Sequence, residues 1–240
     1  MRWFLTLVIG AASALVAVAI TWATSLCYEV KFAAAVEALD TFGPAIGFLV
    51  YLFFNLFYIF CANQMVQMAP MAAGSGIPEV KTYLNGVAVP RLVHAKTLLA
   101  KGIGVALSVA GGLPCGKEGP MVQIGGGLAA GVSQGKSTTF GYNTSYSKFL
   151  DFRNDKEKRE FVACGAAAGV AAAFGAPIAG VLFTLEESAS FWNNHLTWRT
   201  FFCTLVTCYT LFVVHSAGSW FGKLDQTFMF NFGEFYDLEV

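Results

Sequence analysis

Charge is what this sequence has least of. Only 12% of its 240 residues are Asp, Glu, Lys or Arg, against roughly a quarter in soluble domains, and 56% are hydrophobic. That balance excludes an ordinary soluble domain. Fifteen basic and fifteen acidic residues cancel to a formal net charge of zero, so no field draws nucleic acid or an acidic partner. Paired cysteines are missing too. Cys27, Cys61, Cys115, Cys164, Cys203 and Cys208 stand in apolar runs without C-x-x-C spacing, which excludes a zinc site or disulfide framework and reads as small buried apolar residues. Histidine is scarce. His94, His195 and His215 are isolated at loop or span ends, and no metal geometry or Ser-His-Asp order emerges, so neither a cofactor nor a metal is expected. A hydrolase built on Ser75 with His94, or a thiol enzyme using Cys115, lacks a nucleophile-base motif; the chain does not read as an enzyme.

What is present is a series of uncharged runs: 3–28, 41–78, 102–116, 119–135, 161–185 and 200–222. A membrane span needs about 20 apolar residues, so the first, second and last runs hold ordinary spanning helices. The first is long for a cleavable signal peptide and is read as a retained span. The runs at 102–116 and 119–135 are marginal in length and broken by glycine or proline, as partial or discontinuous helices are. The expected helices lie near 3–27, 44–65, just after Ser75, 93–112, 119–134, 160–174, 177–190 and 197–215. Small residues from Gly165 to Ala173 permit close helix contact in lipid. The fold class is all-α: a multi-pass membrane protein with broken and tilted helices, its partner the lipid bilayer. Abundant aromatics, among them Trp3, Trp192, Trp198 and Trp220, suit lipid-facing and interfacial positions.

Loop cations orient the bundle. Arg2, the group Lys81, Arg91, Lys96 and Lys101, the group from Lys136 to Arg159, and Arg199 are expected on the cytoplasmic side, with only Lys31 and Lys223 opposite. The sequon Asn143-Thr144-Ser145 then faces the cytoplasm and goes unused.

Ionisable residues in or beside apolar runs are costly in a bilayer and mark functional candidates: Lys117, Glu118, Glu186 and Glu187. Gly116-Lys117-Glu118-Gly119-Pro120 separates two short apolar helices at membrane depth, where irregular backbone must line a cavity or be buried in protein. Free N–H groups and a positive helix end attract an anion there. Gly74-Ser75-Gly76-Ile77-Pro78 repeats the design with a hydroxyl in place of the carboxylate. Two helix starts converging on one point bind an anion through partial charges, weakly enough to release it. A carboxylate in the same place competes with the anion, and protonation removes the competition, so Glu118 reads as a gate. Taken alone, either segment also reads as an interfacial turn or a capped helix start, with Lys117 paired to Glu118 or reaching headgroups. Glu186 and Glu187 point about 100° apart on a helix, so one is expected to face inward and, if buried, to relay protons.

These residues resemble the CLC family of chloride channels and chloride/proton exchangers. Gly74-Ser75-Gly76-Ile77-Pro78-Glu79 is similar to its first filter motif, Gly116-Lys117-Glu118-Gly119-Pro120 to its second, and Gly165-Ala166-Ala167-Ala168-Gly169 through Phe183-Thr184-Leu185-Glu186-Glu187 to the segment that follows. The stretches from Pro78 to Gly86 and from Ser190 to Asn194 are most similar to the eukaryotic endosomal and lysosomal branch. The resemblance implies chloride contacts from Ser75, Gly76, Ile77, Gly116, Lys117, Glu118 and Gly119. It makes Glu118 the gating glutamate and Glu187 the proton-transfer glutamate. An acid at Glu187 tilts the reading from channel to exchanger, and Ser75 rather than proline favours chloride over nitrate. It also implies a homodimer, with the helices near 177–190 and 197–215 at the contact.

Family members contain two inverted halves, and 1–240 resembles the first alone. The later Gly-x-Phe-x-Pro motif, the late tyrosine ligand and the cytoplasmic regulatory domains have no counterpart in the sequence. The expectation is therefore a subunit of a chloride/proton antiporter in an endosomal or lysosomal membrane, inactive alone. A passive voltage-gated chloride channel, or a half-length partner of a full-length transporter, is the alternative.

Overall fold

The computed structural model describes residues 1–87, 89–134, 154–188 and 193–218. Asn143, Trp192, Trp220 and Lys223 lie outside them. Among the described residues all regular structure is helical.

Helix α1, Arg2–Phe42, continues well past the expected end near 27. Its 41 residues at 1.5 Å each span about 60 Å, twice the hydrocarbon thickness. The charges at Glu29, Lys31, Glu37 and Asp40 do not end it, because alanines around them favour helix and Lys31 is buried against partners. Gly43 makes the turn, and Pro44 opens α2, Pro44–Met68, at a position where its missing N–H costs nothing. Large side chains of α2 such as Phe53, 65% exposed, face outward.

A 3₁₀ turn at Pro70–Ala72 leads to α3, Ile77–Leu84, and then α4, Ala95–Ala110. After a loop over 111–117 come α5, Glu118–Gln134, and α6, Asp155–Phe174. Asn154 caps α6 by accepting a hydrogen bond from the Lys156 amide, and Gly175 ends it in the left-handed region. Helix α7, Pro177–Phe183, starts on its proline and passes into a π turn, Thr184–Ser188; α8 is Asn194–Gly218. The single helix expected over 177–190 is thus shorter, and its two glutamates sit on the π turn.

The core is the pair α5 and α6. A β-carbon on Gly125 would strike the Gly165 carbonyl, and one on Gly169 would lie 3.1 Å from the Val122 Cα, so the backbones are in direct contact. The small-residue stripe read in 165–173 does serve close packing, and α6 is buried continuously from Phe161 to Ala171. Helices α1 and α8 meet as closely at Gly10, whose carbonyl accepts a 3.1 Å bond from the Thr207 hydroxyl. At one end Arg199 of α8 pairs with Glu160 of α6, while Arg2 of α1 pairs with Glu157 at 2.6 Å. Arg2–Phe42, Pro44–Met68 and Asn194–Ser216 are long and apolar enough to cross a membrane, the three runs expected to do so.

Of the cations assigned to loops, two lie inside helices and almost wholly buried. Lys31 and Lys101 are each 1% exposed. The loop reading fails for both because each ammonium finds acceptors within the bundle.

Candidate functional site

Gly76 adopts φ +82°, which an L side chain rarely takes, and α3 begins immediately after it. A β-carbon there would also collide with Gln123 and lie 2.8 Å from the Lys101 ammonium. Glycine at this position thus lets the α3 start sit against α4 and α5. The Ser75 hydroxyl, one residue before the Gly76 N-cap, accepts a long 3.4 Å bond from the Ile77 amide and keeps its own proton for another acceptor. The exposed Ser75 looks into a cleft.

The second motif arrives from the other side. Gly119 is pressed onto Ser75; a β-carbon on it would lie 2.8 Å from the Ser75 Cβ and 3.3 Å from its carbonyl oxygen. The amino-terminal ends of α3 and α5 therefore converge, as expected. Glu118, first in α5, folds its carboxylate back over Gly116 into the space a side chain there would fill. The first amides of α5 have no intrahelical acceptor, and Pro120 supplies no N–H.

Ser75, Ile77, Gly116, Glu118 and Gly119 line one cleft of about 670 Å³, walled by Ile59, Ala62 and Asn63 of α2 and by Lys101, Gly104 and Ser108 of α4. That is room for some twenty waters at ~30 Å³ each, so a hydrated ion can reach the two helix ends. Gly76 packs behind this wall. The alternative in which Lys117 pairs with Glu118 does not hold: the Lys117 ammonium donates to the Thr21 hydroxyl of α1 at 3.1 Å and forms no ion pair with Glu118 among the described residues. This leaves the Glu118 carboxylate without a Lys117 pair to break.

Sequence reasoning missed three groups, Lys101 in the cleft wall and Gln123 and Glu79 behind it. Lys101 donates to the Gln123 side-chain oxygen, and the Gln123 amide donates to the Met71 carbonyl at 3.4 Å. Glu79, which attracts Lys101 electrostatically, has a buried Oε2 without a hydrogen-bond partner among the described residues. The signal was available, since Lys101 interrupts the apolar helix expected over 93–112 and Gln123 is polar within the run 119–135. Lys101 brings a full positive charge close to the backbone of Gly76.

Glu187 lies elsewhere. It does not line the cleft and pairs with Lys81 of α3 at 3.1 Å, with the two side chains 61% and 49% exposed. Glu186 is also exposed. The expectation of one buried, inward carboxylate is corrected: the π turn presents both outward and Lys81 draws Glu187 along α3. His94, the N-cap of α4, does not line the cleft either.

Residues 56–235 match the family model described as voltage gated chloride channel. The chain is 43% identical to bovine H(+)/Cl(-) exchange transporter 7 over 98% of its own length and 29% of that protein's. It is 47% identical to chloride channel protein D of Dictyostelium discoideum over 86% of the chain and 20% of that protein. It thus spans under a third of the length of these relatives. The crystal structure of a eukaryotic CLC transporter superposes with a TM-score of 0.77 over 89% of this chain and 37% of that one, at 24% identity, a likeness of fold. A slow cyanobacterial Cl-/H+ antiporter gives 0.71 over 89% of this chain and 47% of the other. With its spanning helices, its converging helix starts and this match over three quarters of its length, the chain is a multi-pass membrane protein belonging to the voltage-gated chloride channel family, CLC.

Proposed function

We propose that this chain contributes the first half of a CLC-type transport domain and acts in chloride/proton antiport rather than in catalysis. The observation that carries the reading is the convergence of Ser75, Gly116, Glu118 and Gly119 on one cleft at two helix starts. Each helix end favours an anion by about 0.3–2 kcal/mol, so two supply at most about 4 kcal/mol, the millimolar range. An ion held that loosely leaves readily. The Ser75 hydroxyl donates to chloride, and amides of Gly76, Ile77, Gly116, Lys117 and Gly119 complete its surroundings. The Glu118 carboxylate takes the anion's place and, once protonated, vacates it. Glu187, through its weak pair with Lys81, takes protons from the cytoplasmic solvent. Relatives named as H(+)/Cl(-) exchangers and an acid at Glu187 support coupled exchange over a passive channel. The assembly is a homodimer in an endosomal or lysosomal membrane.

In proteoliposomes holding the transport-competent protein that includes this chain, Glu118→Gln abolishes chloride accumulation driven by a pH gradient and leaves passive chloride passage. Continued accumulation in that variant rejects the assignment of Glu118.

A further inference from the structure

Lys31 is the least exposed charge of α1 and has no part in the cleft. Its ammonium is fully engaged: it donates to the Ala110 carbonyl at 2.7 Å and to the Asn55 side chain at 3.1 Å. The rings of Tyr28, Phe32 and Tyr51 surround it at 4.9, 5.1 and 5.0 Å. A cation this enclosed is costly unless its partners hold it, and here the carbonyl at the end of α4 and the Asn55 side chain of α2 do so.

Two more groups on α1 reach the same segment. The Tyr28 hydroxyl donates to the Val109 carbonyl at 2.8 Å, and the Thr21 hydroxyl accepts from Lys117 at 3.1 Å. At 100° per residue Thr21, Tyr28 and Lys31 fall within an arc of about 80° on one face of α1. Val109 and Ala110 are the last residues of α4, and Lys117 precedes Glu118, the first residue of α5. The loop over 111–117 is therefore tied at both ends to one continuous helix. A lysine at a helix carboxyl end also meets the negative end of the helix dipole, which favours its position there.

We propose that α1 is a splint for the Glu118 loop, with Lys31 its principal positioning residue and Tyr28 and Thr21 its secondary ties. Lys31 touches neither the anion site nor Glu118. It fixes where the loop leaves α4, while Thr21 fixes where it enters α5. The consequence for transport rests on the reading of Glu118 as the anion's competitor; the mechanical tie does not.

Cys115, exposed within the loop, is a native reporter, and Cys164 and Cys203 are buried in the core. In the purified chain in detergent, the rate of modification by a small polar maleimide at Cys115 is the difference between the chain and its Cys115→Ser version. Lys31→Met raises that rate about tenfold, as loss of a charged hydrogen bond does, while Cys164 and Cys203 stay unreactive and Lys31→Arg brings the rate most of the way back. Thr21→Val raises it less. An unchanged Cys115 rate in folded Lys31→Met overturns the proposal, and so does a parallel rise at Cys164 and Cys203, which marks general destabilisation. Where Lys31→Met does not elute as a single species, Tyr28→Phe removes only a hydroxyl and is held to the same outcomes. These rates do not depend on chloride, so a splint that stands while Glu118 proves irrelevant to anion binding separates the two readings.

Discussion

Glu118 and Glu187 each have a lysine close at hand, and the two lysines behave in opposite ways. Lys117, next to Glu118 in sequence, turns to Thr21 and leaves the carboxylate lying over Gly116 at the mouth of two helix ends. Lys81, on a different helix from Glu187, pairs with it in solvent. The difference teaches that adjacency in sequence does not make an ion pair, and that the acid suited to moving is the one whose neighbouring cation is held elsewhere. Glu187 is held, but only by an exposed pair of the kind worth about 0.2–1 kcal/mol.

Three substitutions sharpen that contrast. Gly119→Ala has the largest expected effect on folding: its methyl meets the Ser75 backbone and Cβ, neither able to swing away, and overpacking of this kind costs about 1–3 kcal/mol. It lowers the thermal midpoint in detergent and separates the helix starts, weakening chloride binding. Gly116→Ala is milder, because its methyl meets only the mobile end of Glu118. It changes stability by less than about 1 kcal/mol yet displaces the carboxylate, so chloride binds more tightly in calorimetry, and this gain vanishes in a Glu118→Ala background. Lys81→Met is smallest. The pair is half exposed and screened, so the midpoint shifts by an amount equivalent to at most about 0.5 kcal/mol, and 0.5 M salt mimics the substitution in a pH profile of proton uptake.

Much of this was legible from apolar run length and glycine placement. The three long spans, the proline starts of α2 and α7 and the two motif-bearing helix starts are local features, set by residues at the elements themselves. Convergence of Ser75 with Gly119 was also legible, since irregular backbone at membrane depth must face a cavity or protein. Burial of charge was legible only in part. Lys101 interrupts an expected helix, but Lys31 looks like a loop cation until Asn55 and Ala110, far off in sequence, supply its acceptors. The π turn after Phe183 was equally hidden, because a widened turn leaves no mark in hydropathy, and it carries Glu186 and Glu187 outward against expectation.

The central claim is that one cleft position is shared by chloride and the Glu118 carboxylate. Chloride titrated by calorimetry into the purified chain and into Glu118→Gln tests it most directly. A neutral side chain no longer competes, so affinity rises by about tenfold, a gain of roughly 1.4 kcal/mol. Equal affinities in the two proteins would contradict the claim.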